Sequence, residues 1–248
     1  MDVPIERLTP APAYQAVSRT LERLIVSGQL KQGEALPSET ELAGRFGVNR
    51  STVREGIRQL EAQGLLRRDG RKRLLVSRPG QAELASRASR AMLLEQVTFR
   101  ELWEVALALE PLAAGLAAER HQHDLLQRLE ANLAQTEAAI AAGQSPVALD
   151  MEFHSLVAAA TQNRALILAR EPIGFLLYPA CQAIGSQLPQ TGTGLAQAHR
   201  QVVAAIGRRD RAAAAAWMAE HITDLRRAWE LDQLDLDGLP VAAGQPAW

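Results

Sequence analysis

The sequence has little that would staple it together in an oxidising compartment and little that would anchor it in lipid. Among 248 residues there is one cysteine, Cys181. That excludes an intramolecular disulfide, fits a reducing compartment and leaves a small buried apolar residue as its expected role. No stretch approaches the roughly 18–20 uncharged apolar residues of a membrane span. The N-terminal stretch MDVPIERLTPAPAYQ carries acids and prolines where an export signal needs a basic start and an apolar run. The expectation is a cytoplasmic protein with no membrane partner. Nucleophile elbows and glycine-rich phosphate loops are also missing, so the chain is not expected to be an enzyme. Aromatic residues make up only 4% while hydrophobic residues make up 47%, most of them Ala and Leu, so the cores should be built from helices. The length favours two domains.

Charge is scarce in total and uneven in place. The net charge of −1 divides into +5 over residues 1–80 and −6 over residues 81–248. Within 45–78, ten basic residues face three acids, Glu55, Glu61 and Asp69. A basic segment on an otherwise acidic chain suggests one face made for a polyanion.

Placement supports that suggestion. Residues 13–26 put Val17, Leu21, Leu24 and Ile25 on one helical stripe. Ser38 with Glu41 three residues later reads as a capping box opening a second helix, which Gly47 ends. Asn49 can cap a third helix, RSTVREGIRQLEAQ, before Gly64. Helix, tight turn, helix is the helix-turn-helix layout. On the third helix Val53, Ile57 and Leu60 should face the core, while Arg50, Arg54 and Arg58 share another side with Thr52 near the N-terminus. Guanidinium groups there suit the major groove. The next stretch, LLRR-DG-RKRLLV, reads as a basic β-hairpin with its turn at Asp69-Gly70.

The segment LPSETELAGRFGVNRSTVREGIRQLEAQGLL (Leu36–Leu66) resembles the DNA-binding domain of the GntR family of bacterial regulators, and the likeness runs from about residue 12 to 78. It implies a winged helix in which Arg50, Thr52 and Arg54 meet DNA and the wing turns at Gly70. With the basic pattern, the residues expected at DNA are Arg45, Arg50, Ser51, Thr52, Arg54, Arg58, Gly70, Arg71 and Lys72. Thr40 stands where many family members carry a basic residue, which removes one contact. A winged helix reads few base pairs, so a homodimer on a palindromic operator is expected.

Beyond residue 80 the pattern is helix after helix: 81–98, 99–120, 123–142, 146–161, a region at 164–186 that Pro172, Gly174 and Pro179 should bend or break, 195–207 and 211–231. The tail 232–248 lacks periodicity and is expected to be unordered. The expected architecture is mainly α: an arm (1–11), a winged helix-turn-helix domain with a small β-hairpin (12–78), a connecting helix (79–98), an all-helical bundle for effector binding and dimerisation (99–231) and the tail.

Asp150 and His154 lie four apart on one helix, so they project together. With His199 and His221 they offer a donor set suited to zinc, nickel or another borderline divalent ion. His121 and His123 fall on different faces of the chain and are read as ordinary. The stretches LEPLAAGLAAER, LDMEFHSLVAAATQN and AHRQVVAAIGRRDRAAAAAWMAEHI are similar to the effector domain of the FadR subgroup. The resemblance implies that Asp150, His154, His199 and His221 hold one divalent ion per chain, and that a small metabolite acts there on a repressor. Ala106, Glu110, Asn163 and Arg170 are the residues expected around the effector. Ala106 stands where the family usually has an arginine, so an effector more apolar than a compact organic acid is expected. The alternatives are a metal-independent regulator of the same architecture, a metal-dependent enzyme fused to a DNA-binding module, and a nucleoid-type coating protein.

Overall fold

The computed structural model describes residues 12–70, 73–180 and 189–240. The chain divides into two compact units, Met1–Gly80 and Gln81–Trp248.

The first unit contains α1 (Ala13–Val26), α2 (Glu39–Phe46), α3 (Arg50–Ala62), β1 (Leu66–Asp69) and β2 (Arg73–Val76). Its helix ends follow the capping chemistry of the sequence. Ser38 and Glu41 form both bonds of a capping box, and Gly47 ends α2 at φ 65°. Asn49 Oδ1 accepts the Thr52 backbone N–H at 2.8 Å to open α3. Val53, Ile57 and Leu60 are buried against Val17 and Leu21 of α1 and against the hairpin residues Leu66, Leu74 and Val76. The approach of α1 is close: a Cβ at Gly56 would stand 2.9 Å from the Tyr14 carbonyl oxygen. The antiparallel pairing runs from Leu66 opposite Val76 to Asp69 opposite Arg73. Residues 33–36 also pair with β2, through Gly33 N–H to Val76 O and Leu36 N–H to Leu74 O, both 2.9 Å. That pairing has no alternating signature and was not foreseen from sequence.

The second unit is all helix among the described residues: α4 (Gln81–Leu94), α5 (Phe99–Arg120), α6 (His123–Ala141), α7 (Val147–Ala160), α8 (Arg164–Ala180), α9 (Pro189–Gly207) and α10 (Arg211–Leu231). α5 packs against α7, α8, α9 and α10, which makes it the central helix. Its run of small buried residues, including Ala113, Ala114, Ala117 and Ala118, lets α10 come close. A Cβ at Gly115 would already meet Cγ of Arg211 at 3.2 Å. α4 packs on α8, where the buried Ser89 hydroxyl donates to the Pro172 carbonyl. Among the described residues no helix is long and apolar enough to cross a membrane.

Two expectations change. α8 is unbroken across Pro172 and Gly174. Proline removes one helical hydrogen bond, a cost of about 3 kcal/mol, but Leu166, Ile173 and Leu176 on the same helix are buried in the core and offset it. Pro111 is carried inside α5 in the same way. The tail also departs from expectation through residue 240. The first N–H groups of α5, which have no partner within the helix, are met by it: Phe99 N–H donates to Gly238 O at 3.0 Å and Arg100 N–H to Leu236 O at 2.9 Å. Trp229 stacks on Phe99 at 3.8 Å and donates its indole N–H to Asp235 O. Cys181, Arg71, Lys72, the arm 1–11 and the end of the tail at 241–248 lie outside the described residues.

Candidate metal centre and basic helix face

α7 carries Asp150 and His154 one turn apart, α9 supplies His199 and α10 supplies His221. All four are buried, and one donor atom from each lies within 4.8 Å of all the others. Asp150 Oδ1 is 3.1 Å from His199 Nε2, 3.6 Å from His154 Nε2 and 3.8 Å from His221 Nε2. The two nitrogens His154 Nε2 and His221 Nε2 face each other at 3.1 Å. Phe153 stacks on His199 at 3.6 Å and Tyr178 on His154 at 4.3 Å, so the rings cannot swing freely.

Behind the cluster lies a second layer. His154 Nδ1 is 3.0 Å from Glu110 Oε2, and the other Glu110 oxygen accepts from Arg170 Nε at 2.9 Å and the Tyr178 hydroxyl at 3.1 Å. Arg170 Nη1 also donates to Glu171 at 3.1 Å. Burial pushes the Glu110 carboxyl up, but the adjoining His154 ring and the Arg170 guanidinium outweigh it and hold the group down at about 2. Burial likewise opposes ionisation of Asp150, yet the His199 and His154 rings keep its carboxyl well below the usual range. Burial drives the His199 ring toward its neutral form and takes His221 down to about 3.

These residues fit a divalent cation. His199 Nδ1 is buried without a hydrogen-bond partner, and Asp150 Oδ1 and His199 Nε2, though 3.1 Å apart, are not aligned for a hydrogen bond. An unmatched buried polar group costs about 1–3 kcal/mol. Neutral imidazoles and an ionised carboxylate, all converging, are the forms that ligate. One ion would satisfy Asp150 Oδ1 and the facing His199 Nε2 together, since each ring offers the site one nitrogen.

Of the four residues expected around an effector, Glu110 and Arg170 belong to this second layer. Arg170 also lines a small cavity of about 20 Å³ with Ser155, Phe175 and Tyr178, room for about one water. Ala106 is 3% exposed and lies in the apolar core. Asn163 instead opens α8, its Oδ1 accepting the Ala165 and Leu166 backbone N–H groups at 3.1 and 3.2 Å.

In the first unit, Arg50, Arg54 and Arg58 stand exposed on one side of α3, and Arg45 is exposed on the last turn of α2. The Ser51 and Thr52 hydroxyls both donate to Asn49 Oδ1, at 2.8 and 2.7 Å. Gly70 turns the hairpin at φ 67°. The sequence reading missed Glu39 at the start of α2, which pairs with Arg54 at 3.0 Å. Nothing local in the sequence marks it, because the contact spans the turn between two helices.

Residues 13–76 match the bacterial regulatory proteins of the gntR family, and residues 101–224 match the FCD domain. An uncharacterised HTH-type transcriptional regulator of Bacillus subtilis, YdhC, is 27% identical across 86% of this chain and 88% of its own. The HTH-type transcriptional repressor NanR of Cronobacter sakazakii is 27% identical across 87% of this chain and 85% of its own. A solved Streptococcus agalactiae GntR structure superposes with a TM-score of 0.65, at 28% identity, covering 86% of this chain and 99% of that one.

Proposed function

This chain belongs to the GntR family, as an HTH-type DNA-binding transcription regulator carrying an FCD effector domain, and from that premise we propose that its DNA binding is set by a small metabolite bound at a divalent metal. The observation that carries the reading is the convergence of one donor atom from each of the buried Asp150, His154, His199 and His221 within 4.8 Å of one another. Asp150, His154, His199 and His221 would hold the ion, zinc or nickel by their nitrogen-rich set. When bound, it would offer open coordination to an oxygen of the metabolite.

The chain's own residues do the rest. Glu110 accepts from His154 Nδ1 and so aims the His154 Nε2 lone pair inward. Arg170 keeps Glu110 ionised and is itself neutralised by Glu110 and Glu171. It therefore offers little net charge to a second carboxylate, which favours a metabolite with one binding oxygen and an apolar body. The adjoining cavity is far below the roughly 300–1,000 Å³ of ligand pockets, so side chains of α8 must yield for a metabolite to enter. In the first unit Arg45, Arg50, Ser51, Thr52, Arg54, Arg58 and the hairpin turn at Gly70 form the DNA surface. A cytoplasmic homodimer on a palindromic operator matches the small footprint of one winged helix. We take the sign to be repression, as in the name of the NanR relative.

The test measures anisotropy of a duplex selected by the protein from a randomised pool, with metal-stripped and metal-loaded protein and a metabolite panel. The reading expects one metabolite to shift affinity only when metal is present. A metabolite shift that is equal in stripped and loaded protein would refute the role of the metal.

A further inference from the structure

Glu39 is an acid set among three arginines. Its Oε2 accepts from Arg54 Nε at 3.2 Å and Nη2 at 3.0 Å, and lies 3.9 Å from Arg50 Nη2. Its Oε1 is 3.8 Å from Nη2 of Arg68 on β1. One carboxylate thus touches α3 at two positions one turn apart and the hairpin once. The Glu39 side chain is 21% exposed, against 47% for Arg54 and 59% for Arg50. The acid sits behind and the guanidinium groups stand in front of it.

A pair this exposed adds little to folding stability. What it changes is the direction of the guanidinium group. Arg54 presents its Nε–Nη2 edge to Glu39, which leaves the Nη1 end directed elsewhere and the side chain less free to wander. An arginine reads guanine only when its planar fork meets O6 and N7 together. An arginine already ordered loses less freedom on binding. Charge acts in the same direction. Arg68 is already paired with Glu61 at 2.9 Å, so the charge Glu39 offsets is chiefly that of Arg54 and Arg50, and the sequence-independent grip on phosphate grows with that charge.

We propose that Glu39 is a positioning residue for DNA recognition: it fixes Arg54 for base reading and restrains the grip of α3 on unrelated duplex. The proposal rests on α3 being the recognition helix. It does not depend on the metal centre.

The experiment uses the full chain with a duplex selected from a randomised pool, single-base-pair variants of that duplex and a scrambled duplex. Anisotropy is read over a salt series for wild type, Glu39→Gln, Glu39→Ala, Arg54→Ala and the double variant. Glu39→Ala should lower the ratio of selected to scrambled affinity about tenfold, within what one well-placed arginine supplies. The loss should fall on the base pair where Arg54→Ala also loses preference, and the double variant should lose no more than Arg54→Ala. Glu39→Gln keeps an acceptor oxygen and should lose less discrimination, while its binding to scrambled duplex tightens. A merely structural role would weaken both duplexes alike and leave the ratio at the wild-type value. If Arg54→Ala binds the selected duplex as wild type does, the reading of α3 fails and the proposal with it. If Arg54→Ala loses preference but both Glu39 variants keep the wild-type ratio, the proposal alone is overturned.

Discussion

His154 Nδ1 rests 3.0 Å from Glu110 Oε2, with both side chains closed off from solvent. The contact decides which ring nitrogen carries the hydrogen: Nδ1 donates to the carboxylate, so Nε2 keeps its lone pair for the space shared with Asp150 and His221. The basicity of that lone pair depends on Glu110 staying ionised, and Arg170 and Tyr178 see to that.

Replacing Glu110 by Gln should therefore weaken metal affinity by roughly 10–100-fold with all four ligands intact. Competition against a chromophoric chelator measures it. An unchanged affinity would mean that Glu110 only fills space.

Arg170→Met leaves Glu110 without its nearest cation in a buried site. Removing one partner of such a pair costs about 3–5 kcal/mol, and denaturant unfolding of the metal-free protein should show a loss of that size. A loss below about 1 kcal/mol, the scale of an exposed pair, would contradict the buried network.

Acid should destabilise the metal-free protein before its carboxylates protonate. Burial keeps the His199 and His221 rings neutral, His221 down to about 3. In the unfolded chain the same rings take up protons near pH 6.5. Below that pH the unfolded state binds more protons, so stability falls as pH falls, by up to about 1.4 kcal/mol per pH unit for each ring. For His221 the window runs from about 6.5 to about 3. Unfolding curves at pH 7, 6 and 5 should show this decline, and a shallower one in His221→Asn. Parallel declines in both proteins would show that His221 is not held neutral.

Much of this was legible in the chain. Ser38 with Glu41, Asn49 and Gly47 gave the helix ends of the first unit, because capping is local chemistry. Asp150 and His154 share a face by helical spacing alone, while joining them to His199 and His221 needed the family resemblance. What stayed hidden was non-local. α8 runs through Pro172 because burial outweighs one lost hydrogen bond. Residues 232–240 are ordered because α5 needs partners for its first N–H groups. Glu110 was named, but as an effector residue; its grip on His154 depends on how α5 meets α7. Ala106 was placed at the pocket, yet it is core, so an arginine there would overpack rather than restore a cation site.

The most direct test of the account is the metal content of the purified chain. Wild type and His199→Ala are prepared with the same divalent ion, dialysed free of excess and assayed for metal and protein together. The account predicts about one ion per wild-type chain. It predicts an affinity in His199→Ala reduced well beyond the roughly 100-fold limit of second-layer changes. Wild type that neither retains nor takes up a divalent ion, or His199→Ala that binds as tightly, would contradict it.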